Sequence, residues 1–235
     1  MPMQNTSEPS PVPASTIDSR YTRFEEWLNA GTHGLGALLG IAALVLLIVR
    51  AVTVGRDGSL PAVILYGCAL ILLYSFSAIH HAIPRGAIKK VFLSLDHSGI
   101  FFLIAGTYTP FCLLLPSAQG WILLALIWSL AGLGIAVQSA AFLTGRDAAY
   151  ERIAWAFHLA LAWLPILFAG AIIFGALAPA GIALLAAGGA AYSIGVVFYI
   201  WKRLPYNHAI WHLFVVGGSA FHFFSIFFYV VPASV

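Results

Sequence analysis

Charge is what this chain of 235 residues has least of. Asp, Glu, Lys and Arg make up 8% of it, where a soluble domain carries about 25%. With 61% hydrophobic residues and a mean hydropathy of +0.95, that scarcity excludes a water-soluble globule and indicates a chain that crosses a bilayer several times. Too few polar residues lie outside the apolar runs to build a second domain. Cysteine is nearly absent: Cys68 and Cys112 both fall within apolar runs, as packing residues rather than a disulfide framework. No glycine-rich phosphate loop, Cys-x-x-Cys pair or repeat of fixed period occurs, which removes nucleotide-loop chemistry, thiol-held metal and solenoid folds. The net charge of +3 and pI near 9.0 do not indicate nucleic acid, because the basic residues are scattered among short connections. Residues 1–19 contain Pro2, Pro9, Pro11 and Pro13 and no apolar stretch. They read as a disordered tail, neither signal peptide nor span.

What is present is apolar sequence in lengths that suit a membrane. A spanning helix needs about 20 apolar residues, and seven runs qualify: 31–54, 60–83, 96–115, 119–143, 152–177, 180–201 and 208–231. The expectation is an all-α, polytopic membrane protein: one seven-helix bundle over residues 20–231, with a short amphipathic lead-in and a tail at 232–235. Short connections make consecutive helices antiparallel. Arg20, Arg23, Arg85, Lys89, Lys90, Arg146, Arg152, Lys202 and Arg203 fall on one side, and only Arg50 and Arg56 on the other. Positive residues stay in the cytoplasm, so the N-terminus is expected inside and the C-terminus outside, in a multi-pass membrane protein.

Orientation gathers the polar residues at one face. Ser77-x-x-x-His81 ends the second run, Asp96 opens the third, and His208-x-x-x-His212 opens the seventh, all on the cytoplasmic side. A spacing of four puts each pair on one helix face. Two imidazoles at i, i+4 grip one ion from one helix, and a third from another helix leaves a position open for water. Zinc lowers the pKa of such a water toward about 7. Asp96 is placed to hydrogen-bond or deprotonate it, and Ser77, one turn deeper than His81, to orient it or to hold a developing oxyanion. Ionisable residues inside a membrane are costly and tend to be functional.

The other polar residues have plainer readings. His80 and His97 read as interfacial histidines, and Asp96 taken alone also suits a helix N-cap. Asn29 and His33 read as structural support or a second layer around the site. The Glu25–Glu26 pair reads as the acidic first turn of the lead-in helix, from which Glu26 also has a route to the site. His158 is a secondary ligand candidate. His222, ten residues beyond His212 or about 15 Å, is too deep for the same ion and is expected to bond within the bundle. Gly34, Gly36, Gly40, Gly132, Gly134, Gly217 and Gly218 are expected to permit close helix packing.

Taken together, four segments resemble the hemolysin III family, the bacterial branch of the progestin and adipoQ receptor superfamily. They are Glu26-Trp-Leu-Asn29-Ala-Gly-Thr32-His33-Gly34, Ser77-Ala-Ile-His80-His81-Ala-Ile-Pro84, Leu95-Asp96-His97-Ser98-Gly99-Ile100 with Ile104 to Phe111, and His208-Ala-Ile-Trp-His212 through His222-Phe223. The resemblance implies seven helices and a zinc ion near the cytoplasmic face. His81, His208 and His212 match the family's ligands, and Asp96 and Ser77 its water-binding motif. His80 departs from relatives that carry tyrosine there. Similarity of the superfamily to alkaline ceramidases implies a zinc-dependent hydrolase of lipid amides or esters, with membrane lipid as substrate or ligand. The competing reading is a non-catalytic, lipid-sensing regulator stapled by structural zinc. A pore-forming cytolysin is least supported, because no run carries a charged stripe to line a channel.

Overall fold

The computed structural model describes residues 21–84, 86–115 and 117–233. The expected tail at 1–19 lies outside these residues, as do Arg20 and Arg85. Every extended element among them is helical: α1 Arg23–Val54, α2 Ser59–Ala82, α3 Ala87–Cys112, α4 Ser117–Leu143, α5 Asp147–Ala176, α6 Pro179–Ile200 and α7 Asn207–Ser225. A π-helical turn, Ile226–Val230, continues α7. Among the described residues, six helices, α1 to α4, α6 and α7, stand out as long and apolar enough to cross a membrane. Their outward faces agree: along α1, Leu38, Val45 and Val52 are more than half exposed, which suits hydrocarbon and not water.

Local chemistry sets the ends. Thr22 caps α1 in a reciprocal box, its Oγ1 accepting from the Glu25 amide while the Glu25 carboxylate accepts from the Thr22 amide. α2 stops at Ala82 because Ile83, which precedes Pro84, takes an extended conformation (ψ 132°). Pro179 starts α6 at a position where its missing amide costs nothing.

Three helices begin earlier than the apolar runs suggest. The lead-in is the first part of α1 itself, so Asn29 and His33 lie within that helix and not at its opening. α5 starts at Asp147. α3 starts at Ala87, so Asp96 lies more than two turns inside it and is no N-cap. The polar run with Lys89 and Lys90 reads as a connection, yet it is helical, and Lys89 is paired across the bundle with the half-buried Glu26.

Small residues bring some helices together. A Cβ on Gly36 would lie 2.9 Å from the Tyr74 ring, on Gly134 2.4 Å from Phe101, and on Gly218 2.9 Å from Tyr192. Gly40 also packs closely, whereas Gly34, Gly132 and Gly217 face open space. At the end of the bundle far from the triad, residues 231–233 strap onto the α1–α2 connection. Gly55 bridges Pro232, the Arg56 amide donates to the Val231 carbonyl, and the Ala233 amide donates to the Val54 carbonyl.

Candidate metal centre

The antiparallel order brings the last turn of α2 beside the first turns of α7. One nitrogen from each of His81, His208 and His212 lies within 4.8 Å of the other two. The ring centroids are 5.0 Å apart for His81 and His208, 5.2 Å for His81 and His212, and 4.5 Å for His208 and His212. The three residues expected to meet do meet, and the cluster can hold a metal ion.

The hydrogen bonds around the triad fix which nitrogens are free. His81 Nδ1 is 2.6 Å from Glu26 Oε2; a carboxylate accepts, so Nδ1 carries the hydrogen and Nε2 keeps its lone pair. That Nε2 is buried and has no partner. His212 Nδ1 is 3.2 Å from the Asn29 carbonyl and 3.1 Å from Thr32 Oγ1. The carbonyl accepts, and the Thr32 hydroxyl already donates to the Leu28 or Asn29 carbonyl, so His212 Nδ1 carries the hydrogen and its Nε2 keeps the lone pair. His208 Nδ1 is buried without a partner. Burying bare polar nitrogens side by side is unfavourable unless something bonds them. An ion at the centre of the triangle would satisfy them.

Glu26 is the residue the sequence reading underrated. Besides holding His81, its Oε1 accepts from Lys89 Nζ at 2.8 Å, and Lys89 Nζ also reaches the Ile83 carbonyl at the end of α2 at 3.4 Å. The spacing contained the signal: Glu26, Asn29 and His33 lie at i, i+3 and i+7, one stripe of α1. That stripe faces the site. His33 stacks on His212 with centroids 3.5 Å apart and planes 13° from parallel.

Asp96 and Ser77 are both buried, and the Ser77 hydroxyl donates to Asp96 Oδ2 at 3.2 Å. Asp96 is not one of the three nitrogen-bearing groups that close on one another. It lines two spaces that share the triad's edge: an apolar cavity of about 210 Å³ between α3, α5, α6 and α7, and a smaller polar pocket with Glu26, His81 and Lys89. The remaining histidines are placed elsewhere. His80 Nδ1 donates to the Lys89 carbonyl at 3.0 Å. His97 and His158 line the cavity, and the His158 ring lies 4.3 Å from Phe101. His222 Nε2 is 3.2 Å from the Leu185 carbonyl, a bond within the bundle.

Helices of this length with a largely buried histidine triad at one end define a multi-pass membrane protein with a candidate metal centre. The chain belongs to the haemolysin-III related family, which it matches over residues 21–223. It is 45% identical over 219 residues to hemolysin-3 of Bacillus cereus, covering 92% of this chain and 97% of that one. It is 42% identical over 212 residues to the hemolysin-3 homolog of Bacillus subtilis strain 168, covering 90% and 97%. A more distant likeness, 29% over 177 residues and 71% and 69% of the two chains, is to the human monocyte to macrophage differentiation factor.

Proposed function

We propose that the protein is a zinc-dependent hydrolase of lipid amide or ester bonds, acting at the cytoplasmic face of the bacterial inner membrane. In this reading α5 is a seventh span, the N-terminus is cytoplasmic and the C-terminus outside. The single observation that carries the proposal is the histidine triad, two of whose nitrogens are buried without a partner, beside an apolar cavity and a buried carboxylate.

His81, His208 and His212 would hold the ion. Their ligand nitrogens already lie within 4.8 Å of one another, and imidazole is a ligand type that suits zinc. Bound there, zinc supplies Lewis acidity and a water of lowered pKa. Glu26 keeps His81 in the tautomer that ligates, and the Asn29 carbonyl does the same for His212. Asp96 would take up a proton at Oδ1, because Oδ2 is engaged by the Ser77 hydroxyl, which fixes the carboxylate's orientation. The cavity would accept the apolar chain of the substrate and exclude water from it. The test is release of fatty acid from a broad lipid panel by purified, zinc-loaded protein. No release, with membrane lipid composition unchanged by Asp96→Ala, sinks the proposal.

One observation favours a second reading. The His81–Glu26–Lys89 and His212–Asn29 bonds tie α1, α2, α3 and α7 together around the triad, as a structural staple would. In that case His208→Ala lowers thermal stability and no lipid turns over.

A further inference from the structure

The apolar cavity and the polar pocket meet. Four residues, Asp96, His97, Tyr199 and His208, line both, so one molecule can pass between them with its middle beside the triad. A lipid amide or ester with its carbonyl there has its acyl chain in the cavity of about 210 Å³. The part beyond the scissile bond lies in the pocket of about 70 Å³, so that part is small. Its charge follows from the groups around it.

Helix α3 forms one wall of the pocket. Lys90, Leu93 and His97 follow at i, i+3 and i+7, one stripe of the helix flanked by Lys89 and Asp96, and all five line the pocket. The acids there are committed. Glu26 gives one oxygen to His81 and the other to Lys89. Asp96 accepts from Ser77 with one oxygen and in the proposed function takes the proton with the other. Glu151 also has a partner. The cations have donors to spare. An ammonium has three hydrogens, and Lys89 uses two, toward Glu26 at 2.8 Å and the Ile83 carbonyl at 3.4 Å; its side chain is still 11% exposed. Lys90 is exposed, and its side chain has no hydrogen bond or ion pair among the described residues. Orientation in the membrane needs a positive charge near this boundary, but not one on the pocket side of α3.

We infer that the molecule held across the two spaces carries an anionic oxygen group, a carboxylate or a phosphate, at its small polar end, bound by Lys90 and the remaining hydrogen of Lys89. The inference deepens the proposed function and rests on it in taking that molecule to be an acyl amide or ester with its carbonyl at the triad. Lys90 and Asp96 are six residues apart on α3, about 9 Å along the axis. The anion therefore lies up to about 9 Å from the carbonyl, the reach of an amino-acid or phosphorylated amino-alcohol end and not of a second acyl chain.

Competition against a fluorescent fatty acid on zinc-loaded protein, in non-ionic detergent at neutral pH, tests this. The anionic probes are N-hexadecanoylglycine and N-hexadecanoyl-O-phosphoethanolamine; N-hexadecanoylethanolamine and N-hexadecanoylethylenediamine are the neutral and cationic controls. Hydrogen bonds between charged groups predict that at least one anionic probe binds about tenfold or more tighter than both controls, and the tighter of the two identifies the oxyanion. Lys90→Glu replaces an exposed residue in the first turn of α3, where an acid suits the helix. It is expected to cut the preference by about threefold or more while the neutral amide still binds. The four probes compared on the unaltered protein give a result whatever the variant does. Anionic probes that bind no tighter than the neutral amide, or a preference untouched by Lys90→Glu, overturn the inference. Hexadecanoic acid released in the same samples reports on the hydrolase separately: release without a charge preference sinks the inference alone, and a charge preference without release sinks the hydrolase alone. If no probe binds, both fail.

Discussion

Glu26→Gln is the substitution whose effect follows most directly from the geometry. Glu26 uses two carboxylate oxygens for two donors, Oε2 for His81 Nδ1 at 2.6 Å and Oε1 for Lys89 Nζ at 2.8 Å. Glutamine has one oxygen, and its amide nitrogen is a donor, so one of the two partners is left facing a donor. Water offers limited relief, because the side chains of Lys89 and Glu26 are only 11% and 23% exposed. If the oxygen stays with His81, the ligand keeps its tautomer but loses the charge that makes the imidazole a stronger base. If it turns to Lys89, His81 loses its orientation. Loss of such an outer partner costs about 10- to 100-fold in metal affinity, or about 1.4–2.8 kcal/mol at 1.4 kcal/mol per tenfold. Competition for zinc against a chromophoric chelator at fixed pH measures it. Lys89→Met alone is expected to weaken binding by less than about threefold, since the Glu26–His81 bond remains. The double variant should recover part of the Glu26→Gln loss by removing the stranded ammonium. Zinc affinity within about threefold of the parent in a well-folded Glu26→Gln protein would refute the assigned role.

Other consequences are measured more simply. Chelation should lower the thermal midpoint of the parent protein, since an ion at 100 times its Kd adds about 2.7 kcal/mol, and should leave the midpoint of His212→Ala unchanged. Asp96→Asn should keep metal and fold yet reduce any lipid hydrolysis by about 10²- to 10⁴-fold; equal loss of metal would move Asp96 to a structural role. Gly134→Ala forces a Cβ to 2.4 Å from the buried Phe101 ring, whereas Gly132→Ala meets nothing within 4 Å. Thermal unfolding should therefore show the first destabilised by about 1–3 kcal/mol and the second unharmed. Single cysteines at Lys90 and Asp57 should react from opposite sides of inverted and right-side-out vesicles if the proposed orientation holds. Vesicles loaded with dye should stay sealed with and without zinc, contrary to a pore.

Much of this arrangement is legible in the sequence because hydrocarbon imposes simple rules. Helix ends were marked where proline or a charged turn interrupts an apolar run, as at Pro84 and Pro179, and those boundaries agree with the helices found. The triad was legible because two spacings of four and one alternation of direction put His81, His208 and His212 at one end. What stayed hidden was the start of helices built from polar residues. Lys89 and Lys90 look like a connection to any hydropathy criterion, yet Lys89 is helical because Glu26 neutralises it from α1. The same cause displaced Asp96 from a helix opening to a helix interior. Cross-helix partners of this kind have no sequence period to announce them. Nor does hydropathy separate Gly134 from Gly132, since the distinction lies in which face meets Phe101.

A helix that contributes no histidine to the triad, α1, decides the form of the site. α1 offers Glu26 to His81 and the Asn29 carbonyl, with Thr32, to His212, so two of three imidazoles have their Nδ1 hydrogens bound by one helix stripe. Each bond turns an Nε2 toward the same centre. Without α1, either imidazole could rotate or change tautomer, and a metal would first have to select the right state from several. His208 has no such partner among the α1 residues and contacts aromatic rings instead, Tyr21 at 5.3 Å and Tyr199 at 5.9 Å. It would therefore be the imidazole freest to adjust if an ion drew the triangle closed. Two fixed imidazoles and one adaptable one would let a bundle of stiff helices meet the narrow distance tolerance of a metal ion without moving a backbone.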